Sequence, residues 1–101
     1  MALNKKIILE NGIELNYHRI VSVNEIINDT TIVEVASYIN EEKRNEEKQA
    51  LENSKKSGEA IPMNVFIDTR YVIKNYDEKD NITSCYSYIK TLDDFKDAKD
   101  V

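Results

Sequence analysis

Few side chains in this chain could do chemistry. There is one cysteine, Cys85, and one histidine, His18, and the acids gather in two clusters. A cysteine nucleophile needs a neighbouring base to draw off its proton, and His18 is the only imidazole on offer. His18 lies in the strand-like run 15–21, where a half-exposed strand histidine is expected. Cys85 sits on the apolar side of a helical pattern and reads as a small buried hydrophobe. A lone cysteine forms no disulfide within the chain, and with one histidine it cannot fill a structural zinc site without several carboxylates. Asp77, Asp80 and Asn81 place oxygen ligands in one loop, and Asp77 and Asp80 are the weak candidates for calcium. The twelve-residue spacing, central glycine and closing glutamate of a calcium loop are missing there. Asp93, Asp94, Asp97 and Asp100 read as a solvated end, since nothing sets two of them across a cleft as acid–base catalysis requires. With only Gly12 and Gly58, no glycine-rich phosphate loop can form. The expectation is a chain with no catalytic residue, no cofactor and no committed metal site.

Six tyrosines (Tyr17, Tyr38, Tyr71, Tyr76, Tyr86 and Tyr88) are the excess in the composition. Tyrosine buries a large body while keeping a polar tip, which suits a core or an interface. It also suits sugar stacking, although that use commonly recruits tryptophan, which is absent.

These side chains must be positioned by a chain of 101 residues, the usual size of one domain spanning 1–101. Hydrophobic residues make up 41%, enough for a core, and the net charge of -5 disfavours nucleic acid or an anionic membrane as partner. No apolar run reaches the length needed to span a bilayer, and the N-terminal apolar stretch is too short for a secretion signal.

Asn11-Gly12 between two apolar runs predicts a two-residue type I′ turn, pairing Ile8 with Leu15 and Lys6 with Tyr17. Ile8, Ile13, Leu15 and Tyr17 then share the inward face. The run 13–27 is long for a strand, so a bulge or bend is expected within it. Asn28-Asp29 separates it from the β-branched run 30–39, predicting a second hairpin. A simple register there leaves neither face cleanly apolar, which calls for a bulge or for cover on both faces.

Residues 41–60 hold eleven charged side chains in twenty. Helix propensity is good through Lys56, yet a helix here would be polar all round and bury little. The segment reads as a charged excursion between strands, helical or not, with Gly58 a suitable helix end. A strand resumes at Pro62, with Val65, Ile67, Thr69, Tyr71 and Ile73 on one face, pairing antiparallel with 30–39. After a turn-rich loop, Ile82, Cys85, Tyr86 and Ile89 recur at helical spacing behind Asn81 as N-cap, with a strand as the alternative, and Phe95 folds back to anchor the end.

Three stretches carry a resemblance: residues 11–20, residues 32–44 and residues 86–95. Together they resemble small proteins encoded in the tail and baseplate gene modules of phages and prophages of Gram-positive bacteria. The resemblance covers most of the chain, contains no catalytic signature and brings no functional residues with it. It implies a tail-associated structural part of a virion, made in the bacterial host cytoplasm.

The resulting expectation is an α+β fold: an antiparallel meander of about four strands with a short C-terminal helix packed on it. The expected role is non-enzymatic assembly, with the chain itself or larger tail proteins as partners. A small ligand- or glycan-binding module is the alternative, and a small hydrolase a third. A flat apolar patch would favour assembly, a concave tyrosine-lined pocket the ligand. The contact is expected at Tyr17, Ile20, Val33, Val35, Tyr38 and Ile39, on the hairpin that one short helix would leave uncovered.

Overall fold

The computed structural model describes residues 1–58 and 68–101. The expected strand start at Pro62, with Val65 and Ile67, lies outside the described residues. Strands β1 (Leu3–Ile8), β2 (Glu14–Ile26), β3 (Thr30–Tyr38), β4 (Asp68–Asn75) and β5 (Lys99–Asp100) form one antiparallel sheet in the order β4-β3-β2-β1-β5. Helix α1 (Glu41–Ser57) stands between β3 and β4, and α2 (Ile82–Ile89) follows β4. The class is α+β. The strand β5 was not expected, because its two residues are too few to carry a pattern.

The first hairpin differs from its expected turn. Gly12 N–H donates to Leu9 O at 2.9 Å, Leu9 N–H donates to Ile13 O at 2.9 Å, and Gly12 has φ 87. This is a three-residue connection with glycine in the left-handed region, because Asn11 keeps a negative φ and its side chain accepts from Ile13 N–H instead. Ile8 therefore faces Glu14, and Ile7 faces Leu15. A one-residue slip exchanges faces, so Leu15 is buried while Ile8 and Ile13 are exposed.

The second hairpin resolves the mixed faces. Asp29 N–H donates to Ile26 O at 3.0 Å and Asn28 has φ 63, giving another three-residue connection. A bulge between Ile20 and Ser22 then moves the register again, within the long strand where one was expected. Together these shifts set Ile20 opposite Val35 and Val23 opposite Val33, on one face.

That face carries the core. Leu3, Ile20, Val33, Val35 and Val72 meet Cys85, Tyr86 and Ile89 of α2, and Phe95 closes the cluster from a 3₁₀ turn at Asp93–Phe95. Each fully buried aliphatic or aromatic side chain here contributes about 1.5–3 kcal/mol. Asn81 caps α2 as expected, exchanging bonds with Ser84 in a capping box. The expected return of Phe95 is seen, whereas Ile82 stays exposed.

Helix α1 starts at Asn40, whose side chain accepts from Lys43 N–H at 3.1 Å, and ends at Gly58 with φ 76. It has no buried residue, and its acidic first turn and basic last turn complement the helix dipole. It is nonetheless tied to the sheet. The Glu47 carboxylate accepts from Tyr38 Oη at 2.8 Å and pairs with Arg44 and, at 3.7 Å, with Arg19.

Candidate functional site

One histidine and one cysteine do not meet. His18 is fully buried, not half-exposed, because the sheet face it occupies lies under Phe95. Its ring stands edge-on to Phe95 at 5.1 Å, with Nε2 2.7 Å from Lys5 O and Nδ1 2.8 Å from Ser37 Oγ. Burial holds its pKa below the usual imidazole value, Arg70 adding to that and the Lys5 carbonyl opposing it. Cys85 is buried in α2, and burial pushes its thiol up, away from reactivity.

The acidic loop is committed to the chain's own groups. Asp80 is bound by Lys74 and by Ser84 Oγ at 2.8 Å, and the lysine holds its carboxyl below the ordinary value. Asp77 Oδ1 accepts from Lys79 N–H at 2.9 Å in a local turn. Among the described residues, no group of three or more His, Cys, Asp and Glu side chains is placed to hold a metal ion. Asp94 pairs with Arg70 at 2.6 Å and Asp100 with Lys90 at 3.1 Å.

The expected interface residues divide. Ile20, Val33 and Val35 lie beneath α2, and Tyr38 beneath α1, so all four are buried within the chain. The expected contact is corrected accordingly: alternation along β3 turns Val33 and Val35 toward α2 and Tyr38 toward α1, and the β2 bulge brings Ile20 to the side of Val33 and Val35. Tyr17 is half-buried, its ring edge-on to Tyr38 at 5.8 Å, and Ile39 is partly exposed.

The uncovered apolar surface is the opposite parity of the same strands. Cross-strand pairing sets Asn24, Ile32 and Ile73 in one row, with Ser22, Glu34 and Tyr71 in the next and Ile26, Thr30 and Asn75 in the third. Tyr71 is 68% exposed, Ile73 65% and Ile26 44%. Helix α1 meets this face only at its other end, around Ala36 and Tyr38. Glu34 is the acid in the patch: it accepts from Ser22 Oγ at 3.2 Å, and its hydrogen bond with the Tyr71 hydroxyl, reinforced by its charge, raises that hydroxyl's pKa.

The patch runs to an open edge. Strand β4 pairs with β3 alone among the described strands. Its charged residues point the other way, toward α2: Arg70 lies over the Phe95 ring at 5.1 Å and Lys74 over the Tyr88 ring at 5.8 Å. Alternation places Tyr71 and Ile73 on one face, and Arg70 and Lys74 find aromatic and acidic partners beneath the sheet, which leaves the apolar side as the bare one.

Beyond the end of β4 lies an open cleft of about 550 Å³, lined by Asn28, Lys74, Asn75, Tyr76, Asp77, Glu78 and Tyr88. A second groove, about 390 Å³, runs between Val23 and Glu25 of β2 and the start of α2. Among the described residues, no helix is long and apolar enough to cross a membrane.

No protein-family model matches the chain, and no curated protein or solved structure is significantly similar to it.

Proposed function

We propose that the protein is a non-enzymatic assembly component that works through protein contacts on the open face of β2, β3 and β4. The observation that carries this is the exposed cluster of Tyr71, Ile73 and Ile26, flanked by Ile32, on one face of the sheet. Apolar clusters of this kind on a folded surface mark places that a partner covers. The resemblance to tail and baseplate-module proteins supplies the setting. In that setting the partners are further copies of the chain or larger tail proteins, and the product is a virion component assembled in the bacterial host. The test is Ile73→Lys, read by sedimentation and by capture of identified tail proteins from phage lysate. The native chain assembles or captures, and the folded variant loses both. A native chain that stays monomeric and captures no tail protein would sink the reading.

A second reading is favoured by the cleft. Tyr76 and Tyr88 beside Asn28, Asn75, Asp77 and Glu78 combine apolar ring surface with hydrogen-bonding groups in a volume usual for a small ligand. This is the arrangement a glycan-binding module needs. Titration with cell-wall saccharides, followed by the amide resonances of 74–78, distinguishes it from pure assembly.

A further inference from the structure

We infer that two copies of the chain join through β4, antiparallel about a twofold axis at Tyr71, so that one sheet runs through both. The inference rests on the reading of the protein as an assembly component and names its first partner.

Among the described residues, the backbone shows which groups of β4 have no strand partner. Tyr76 N–H donates inward to Asp29 O at 3.3 Å, at the tip of the β2–β3 hairpin. Backbone direction alternates along a strand, so the N–H and C=O groups of Thr69, Tyr71 and Ile73 point off the edge. Consistent with this, Ile73 O is reached by Tyr88 Oη, at a long 3.4 Å that a strand donor would replace. A row of free backbone groups on an edge is a template for another strand.

Charge selects both the partner and the register. Outward-pointing residues must oppose one another, so in an antiparallel self-pairing the axis passes through a residue rather than between two. An axis at Val72 sets Arg70 against Lys74 of the second copy, twice, and an axis at Arg70 sets the two arginines together. Like charges directly opposite are destabilising. An axis at Ile73 shortens the ladder and leaves Asp68 unpaired. An axis at Tyr71 sets Asp68 opposite Lys74 of the second copy, twice, with Arg70 facing Val72. It also stacks Tyr71 on its twofold mate, places Ile73 against Thr69, and closes about six new backbone hydrogen bonds. The chain as a whole carries -5, and each cation of β4 already has an acid of its own chain, Arg70 with Asp94 and Lys74 with Asp80, so Asp68 of the second copy joins an existing pair at Lys74. The apolar clusters of the two copies then become neighbours on one continuous face.

Three measurements on the full chain test this. Sedimentation of the native protein should give twice the 11.7 kDa chain mass. Tyr71→Cys should form a disulfide-linked dimer under mild oxidation, because residues paired on the axis lie within bridging distance. Thr69→Cys should not, being displaced by two residues on each strand. Tyr71→Pro, which removes an outward N–H and none of the bonds to β3, should be a folded monomer by circular dichroism. If that variant does not fold, the cysteine pair still decides. A dimer that Tyr71→Cys fails to cross-link overturns the β4 contact while leaving assembly through the open face standing. A native chain monomeric at every concentration also overturns it, and the capture of tail proteins then judges the assembly reading separately.

Discussion

The hydroxyl of Tyr86 bridges β2 and the start of the chain next to the β2 bulge: it accepts from Ile20 N–H at 2.9 Å and donates to Met1 O at 2.9 Å. A bulge leaves an extra residue outside the ladder, and a buried backbone N–H without a partner is costly. Tyr86 thus links α2 to the irregularity that brings Ile20 over Val35. Tyr86→Phe keeps the ring and removes the acceptor, so it should cost about 1–3 kcal/mol. Urea unfolding checks this, and a midpoint unchanged from the native protein would show that Ile20 N–H finds another acceptor.

Gly12 carries φ 87 with open space around its missing side chain, so any penalty for substitution is backbone strain alone. Gly12→Val should destabilise by about 1–2 kcal/mol, whereas Gly12→Asn should cost less because asparagine tolerates the left-handed region. Thermal melts of both variants check the order. Equal melting temperatures for the two would remove the left-handed assignment at this position.

How far the fold could be read from residues follows from the range of the forces involved. The capped helix behind Asn81, the return of Phe95 and the pairing of 30–39 with the strand after the charged segment rest on local pattern, and all three are present. Both turns differ from the two-residue form because Asn-Gly and Asn-Asp fit two-residue and three-residue connections alike, and distant packing settles the choice. Each one-residue difference reversed faces, which is why Ile8 was expected inside and Val33 outside. The site suffered for the same reason. Nothing local to Arg70 and Lys74 announces that Asp94, Asp80, Phe95 and Tyr88 wait for them across the sheet.

Glu47, in the first half of α1, ties the helix to the sheet. Replacing residues 48–56 with a short linker should leave cooperative unfolding intact, since none of these residues is buried and a shorter loop closes at slightly lower entropy cost. Glu47→Ala should behave differently. It leaves the Arg19 and Arg44 guanidinium groups in a half-buried site without their shared carboxylate, and Tyr38 Oη loses this acceptor. A loss of about 1–3 kcal/mol is expected. Chemical denaturation of the pair checks the contrast, which would collapse if the deletion were the more damaging change.

His18 makes the stability depend on pH in a definite direction. Lys5 O can only accept, so Nε2 carries the proton, and the neutral ring takes the Ser37 hydroxyl proton at Nδ1. The ring has no room to solvate a charge, and its folded pKa lies below the unfolded value near 6.5. Above about pH 7 both states are neutral and His18 contributes no slope. As pH falls through about 6.5, the unfolded chain takes up a proton that the folded chain resists, so stability must decrease. The lowered carboxyl pKa values of Glu14 and Asp80 act only further down, as pH falls below the ordinary carboxylate range. The window from pH 7 to about 5.5 therefore belongs to the histidine. Urea midpoints measured across it should fall for the native protein and stay level for His18→Gln, whose amide can still donate to Lys5 O but does not titrate. A native midpoint that held or rose on acidification would mean that the ring enters the fold charged, with Nδ1 donating to Ser37.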